Sequence, residues 1–162
     1  MVVSGYILLT RDAEGSTFRE PLLVAAAAVM AGIAGAAPVL LLAGTGLVPV
    51  LVLFAYAMAY DAGTYVVGSG AASAWEGPAA GIAATGPVTL TVAAVLAPPF
   101  GGTSPWLLGG LAAALAPVGP IIGAALAGTG RDGKVRMPAL RRMDSLLVLG
   151  PVWALAAALL VD

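Results

Sequence analysis

The sequence predicts an all-α protein, a polytopic transmembrane helical bundle of about five spans forming a single membrane domain over residues 1–162. Three observations predict it. Of the 162 residues, 60% are hydrophobic and only 9% charged, whereas an ordinary globular domain carries about a quarter charged residues. The mean hydropathy is +1.03, and a soluble core of this size could not hide so much apolar side chain. The charges are also segregated: none lies between Glu20 and Asp61, between Glu76 and Arg131, or between Asp144 and Asp162. Third, the seven basic residues fall into two groups separated by an even number of expected crossings.

Residues 1–10 are too short an apolar stretch for a span and lack the basic start of a signal peptide. They read as an interfacial segment or the remnant of an upstream helix. The 40 uncharged residues after Glu20 would make ~60 Å of helix, enough for two bilayer crossings. The chain must therefore turn, and Gly44-Thr45-Gly46 is the best breaker. Span 1 covers residues 21–43, opening on Pro21 where a missing N–H costs nothing, and span 2 covers 47–67. The long uncharged run after Glu76 divides at the Pro- and Gly-rich stretch 98–105 into span 3 (77–97) and span 4 (106–127). Span 5, residues 145–161, is short but continuous. Gly77-x-x-x-Gly81 and Gly119-x-x-x-Gly123 have the small-residue spacing at which membrane helices approach closely. A chain this rich in Ala and Gly also produces such spacings by chance. Trp75, Trp106 and Trp153 read as interface anchors. Thr85, Thr89 and Thr91 read as hydroxyls returned to backbone carbonyls.

Arg11 and Arg19 precede span 1, while Arg131, Lys134, Arg136, Arg141 and Arg142 lie between spans 4 and 5. Four crossings separate the groups, so both fall on one side. The positive-inside rule makes that side cytoplasmic, with residues 98–105 external, in a multi-pass protein of the cell's inner (plasma) membrane. A net charge of -1 excludes bulk nucleic-acid binding. The absence of Cys and His excludes disulfides, thiolate chemistry, histidine bases, haem and Cys/His zinc sites. Chemistry is left to carboxylates, Arg, one Lys, hydroxyls, backbone groups and a hard cation.

Asp61 stands fourteen residues beyond Leu47, in or at the inner end of span 2. An acid near the bilayer centre costs ~2.5–3.5 kcal/mol on insertion scales, so it usually faces a cavity, a cation or a partner. Glu76 sits at the inner end of span 3, Asp132 in the basic loop and Asp144 at the start of span 5. The topology thus brings four carboxylates and five basic groups towards one surface. Hard oxygen ligands suit Mg²⁺, and guanidinium groups suit phosphate. Plainer readings stand beside this one. Glu76 and Asp144 could serve only as acids favoured at helix N-termini. The basic loop could serve only as a topology signal touching anionic headgroups, and Asp132 could pair with Arg131 or Lys134 in solvent.

Three segments resemble one family. Tyr60-Asp61-Ala62-Gly63-Thr64-Tyr65-Val66-Val67-Gly68 resembles the Asp-(Thr)-x-Ala-Tyr-x-x-Gly segment of the phosphatidate cytidylyltransferases, the CDP-diacylglycerol synthases. Ser73-Ala74-Trp75-Glu76-Gly77-Pro78-Ala79-Ala80-Gly81 resembles their Lys-Thr-Trp-Glu-Gly-x-x-x-Gly motif. Met137-Pro138-Ala139-Leu140-Arg141-Arg142-Met143-Asp144-Ser145-Leu146-Leu147 resembles the signature Leu-Pro-Gly-His-Gly-Gly-x-x-Asp-Arg-x-Asp-Ser. The order matches, and the likeness covers Leu47 to the C-terminus, the C-terminal half of a usual member. It implies a membrane enzyme using CTP and Mg²⁺ to convert phosphatidic acid to CDP-diacylglycerol and pyrophosphate, and the small-residue helix faces make a family-type homodimer plausible. It further implies catalytic roles for Asp144, Arg142 and Asp61, and Mg²⁺ held by Asp144, Asp61 and Asp132. Substrate contacts would come from Tyr65, Glu76, Arg131, Lys134, Arg136 and Arg141.

The chain departs from the pattern in several places. Gly-His-Gly-Gly is missing between Pro138 and Ala139, and Arg141 replaces the first Asp of the signature. The Lys before the Trp-Glu-Gly motif is absent, and the stretch from Asp61 to Trp75 is shorter than in the family. Phosphoryl chemistry depends on positioning and charge stabilisation, so these losses point towards weak turnover. The other readings are a catalytically inactive family member acting as a membrane scaffold or lipid-binding partner, and a small transporter using Asp61 as an ion site.

Overall fold

A computed structural model describes residues 19–127 and 144–161. The described residues form helices α1 (Arg19–Thr45), α2 (Leu47–Gly68), α3 (Glu76–Val95), α4 (Ser104–Leu115), α5 (Val118–Ala127) and α6 (Asp144–Leu160). The all-α bundle is as the sequence predicts. Four stretches, Pro21–Thr45, Leu47–Gly68, Glu76–Val95 and Ser104–Ala125, are long and apolar enough to cross a membrane. α6, with 17 residues, is about 26 Å long at 1.5 Å per residue, near the lower limit for a crossing.

The helix boundaries follow from local chemistry. Gly46 separates α1 from α2 at φ +85°, a left-handed conformation open to glycine without a Cβ penalty. α1 starts at Arg19, two residues before the expected Pro21, which still falls in the first turn where N–H groups lack helical partners. α3 stops at Val95, short of the expected residue 97. Ala97 precedes Pro98, and the proline ring disfavours helical backbone in the residue before it.

Expected span 4 is not one helix. α4 ends at Leu115, a turn occupies Ala116 and Pro117, and α5 begins at Val118. Ala116 keeps helical angles (φ −55°, ψ −42°) and its N–H bonds the Ala112 carbonyl, whereas Pro117 has no N–H with which to continue the ladder. Pro38, Pro87 and Pro151, in contrast, lie inside unbroken helices.

α2 and α3 form the most extensive helix pair, and α6 packs against α1, α5, α4 and α2. Small residues set the α2–α3 approach. A Cβ added at Gly63 would stand 2.7 Å from the Ala80 carbonyl oxygen, and one at Gly77 would stand 3.2 Å from Gly68 Cα. Gly81 faces Thr64 Oγ1 and the Tyr60 ring. Gly77-x-x-x-Gly81 is therefore a real helix contact, and Gly119-x-x-x-Gly123 is another, between α5 and the start of α6. Both motifs lie inside the chain, so a homodimer would have to use a different surface.

The core gathers Leu53, Tyr56, Phe100, Leu108, Leu149 and Trp153. Trp153 is fully buried, which corrects its reading as an interface anchor. Its Nε1–H donates to the Leu108 carbonyl at 3.2 Å, so the indole's polar end is satisfied inside the bundle. The Tyr56 ring lies tilted beside it, centroids 6.1 Å apart, and its hydroxyl donates to Thr89 Oγ1 at 3.1 Å. Thr85, Thr89 and Thr91 donate to the carbonyls of Ile82, Thr85 and Pro87, as expected. Outside, Leu22, Val39, Leu40, Met58, Leu155 and Leu159 are exposed. That outward apolar surface is the build of a membrane protein, whose lipid-facing residues need no burial in protein.

Candidate carboxylate site at one end of the bundle

The ends of α2 and α5 meet the starts of α3 and α6. Close approaches of Gly68 to Gly77 and of Gly119 and Gly123 to Asp144 mark this common end. Asp61 lies on α2, seven residues before Gly68, about 10 Å below the end of that helix by its rise per residue. Its carboxylate lies beside polar groups: the Ser145 hydroxyl donates to Asp61 Oδ2 at 3.0 Å, across 84 positions of sequence. Ser145 itself is only 2% exposed.

Asp144 is the first residue of α6, where unpaired N–H groups and the helix dipole favour an acid. Asp61, Asp144 and Tyr60 lie within electrostatic reach of one another. Two carboxylates and a hydroxyl thus converge from α2 and α6, with α5 packed directly against Asp144. The sequence marks Asp61 and Asp144 by charge. It gives Ser145 no role, since a serine after an acid at a helix start is ordinary.

Other expected site residues stand elsewhere. Glu76 turns back onto its own connection: Oε1 accepts the Ser73 N–H at 3.0 Å and Oε2 the Ala72 N–H at 3.2 Å. This local bonding favours the plainer reading of Glu76 as a helix-start acid. Tyr65 is 76% exposed, one turn beyond Asp61 on the same face of α2, where Asp61 is also exposed. Trp75 and Trp106 are both well exposed, in keeping with anchoring. Arg131, Asp132, Lys134, Arg136, Arg141 and Arg142 lie outside the described residues.

Among the described residues, no group of three or more Asp and Glu side chains could hold a metal. Asp61 and Asp144 supply two hard oxygen donors. Mg²⁺ is bound through one or two carboxylates when waters and substrate phosphates complete its shell, so the pair fits that ion in the company of a phosphate ligand and not as a closed protein cage. No protein-family model, characterised protein or solved structure matches this chain.

Proposed function

We propose that this protein is a membrane nucleotidyl-transfer protein of the phosphatidate cytidylyltransferase type that binds Mg²⁺–CTP and phosphatidic acid at the Asp61–Asp144 end and turns them over weakly. The observation that carries this reading is the Ser145–Asp61 hydrogen bond. It joins the segment resembling the family's Asp-Ala-Tyr motif to the segment resembling its signature. The two stretches read as parts of one site in the sequence, and Asp61 of the first is hydrogen-bonded to Ser145 of the second.

In the reaction, an oxygen of the lipid phosphate attacks the α-phosphorus of CTP. The bond from that phosphorus to the bridging oxygen of the β-phosphate breaks, and pyrophosphate leaves. Mg²⁺, when bound, neutralises charge on the triphosphate and the departing pyrophosphate. Asp61 and Asp144 would hold that ion, and Ser145 holds the Asp61 carboxylate. Arg142 and the neighbouring basic residues meet the phosphates from the cytoplasmic side. The missing Gly-His-Gly-Gly stretch, the Arg at 141 and the absent Lys remove contacts that stabilise developing charge. Each such contact is worth ~2.7–4 kcal/mol, judged from oxyanion donors, which is why turnover is weak.

Equilibrium binding of Mg²⁺–CTP to the protein in lipid nanodiscs tests the reading. A companion assay follows conversion of phosphatidic acid and labelled CTP in proteoliposomes. Binding is expected for the native chain and lost in Asp144→Asn, with slow CDP-diacylglycerol formation lost in the same variant. Absence of CTP binding by the native chain overturns the proposal in favour of a scaffold or an ion site. Turnover indifferent to Asp144→Asn removes the metal role from that residue.

A further inference from the structure

We infer that Gly119 and Gly123 on α5 are positioning residues for the carboxylate pair. This inference rests on the proposed function for its catalytic meaning, and on the α5–α6 geometry for its substance. A Cβ added at Gly119 would overlap the Asp144 carbonyl oxygen, lying 2.8 Å from its carbonyl carbon and 3.2 Å from Ser145 Cα. One at Gly123 would lie 2.9 Å from Asp144 Cβ and 3.7 Å from Oδ2. The neighbours at Gly119 are backbone atoms and cannot rotate aside. The start of α6 would have to move.

That movement would reach both acids. Asp144 is the residue displaced, and Ser145, the next in the chain, carries the hydroxyl that holds Asp61. The two glycines, one helical turn apart, thus set the spacing between a carboxylate on α2 and another on α6. Glycine weakens a helix relative to alanine, and on α5 both buried glycines face the Asp144 turn. Gly110 on α4 makes a control, since a Cβ there meets nothing within 4 Å.

Two measurements on the full chain in nanodiscs test this. The chain has no native Cys, so disulfide formation in Asp61→Cys/Ser145→Cys reports the α2–α6 spacing without any ligand. Cross-linking is expected in the otherwise native background and in Gly110→Ala, and reduced yield in Gly123→Ala and Gly119→Ala. Separately, Mn²⁺ binding by paramagnetic resonance, with Asp61 and Ser145 intact, should weaken about 10–100-fold in Gly123→Ala, the range for residues that orient metal ligands. Gly110→Ala should match the native affinity. Thermal unfolding is followed in each variant, and if Gly119→Ala does not fold, Gly123→Ala decides. A folded Gly123→Ala with native cross-linking and native Mn²⁺ affinity overturns the inference. Failure of the native chain to bind Mn²⁺ instead overturns the metal part of the proposed function, and the cross-linking arm then decides the positioning role alone.

Discussion

A carboxylate about 10 Å below the end of an apolar helix usually faces a partner, and among the described residues the Ser145 hydroxyl donates to it. Removing that donor leaves the Asp61 oxygen without its partner. Hydrogen bonds to charged groups contribute roughly 1.5–3 kcal/mol, so Ser145→Ala should lower stability by about that amount. It should also weaken Mn²⁺ binding, about 10-fold or more by analogy with other groups that orient metal ligands. Ser145→Thr keeps a hydroxyl and should recover the affinity. A binding titration of the three proteins checks this, and equal affinities would show that the bond only packs the helices. Asp61 was legible in the sequence because it interrupts an uncharged run; Ser145 was not, because its partner lies 84 positions away. Trp153 was misread for a related reason. Hydropathy places an indole near an interface, but the acceptor that draws it inward is the Leu108 carbonyl on another helix.

The helices themselves were largely legible, since charge gaps and Gly or Pro punctuation reflect the same lipid and backbone constraints that fix their ends. The break at Pro117 was not. Prolines stand within the expected spans at 38, 87, 117, 120 and 151, and of these only Pro117 falls at a helix boundary. Beyond Pro117, α5 packs against the first turn of α6. The α2–α3 seam offers a cleaner element-scale prediction. A methyl at Gly63 would meet the Ala80 carbonyl oxygen at 2.7 Å and Ala84 Cβ at 2.9 Å. Overpacking of this kind costs typically ~1–3 kcal/mol, so Gly63→Ala should destabilise the bundle to that extent. Gly86 lies in the same pair of helices, yet a Cβ there meets nothing within 4 Å. Gly86→Ala should be neutral or stabilising by up to ~1 kcal/mol through helix propensity alone. Unfolding in mild detergent, with both variants followed by circular dichroism, should give opposite signs. Equal destabilisation would mean that the seam is not the close contact described.

For the whole molecule, the side of the membrane on which the carboxylate pair opens decides whether the proposed chemistry can draw on cytoplasmic CTP. The structure gathers the end of α2, the start of α3, the end of α5 and the start of α6 at one end of the bundle, and residues 128–143 join α5 to α6 in sequence. Five of the seven basic residues fall in that connection, so the orientation proposed from the positive-inside rule has the carboxylate end cytoplasmic and the connection between α3 and α4 external. Labelling of single cysteines in this Cys-free chain turns the orientation into a measurement. Ala72, between α2 and α3, and Thr103, before α4, are both exposed. Gly102 is less suited to carry the external label, because its φ of +57° would strain any side chain. Ala72→Cys and Gly133→Cys should resist an impermeant thiol reagent applied to intact cells and react once the membrane is opened, whereas Thr103→Cys should react from outside in both. If Thr103→Cys and Gly133→Cys label from the same side, the crossings between them are odd in number no longer, and the five-span topology fails. If all three sides invert together, the bundle stands as described but its carboxylates face away from cytoplasmic CTP. The nucleotidyl-transfer proposal would then fall while the fold remained, because only the cytoplasmic orientation supplies the substrate that the Asp61–Asp144 pair is proposed to bind.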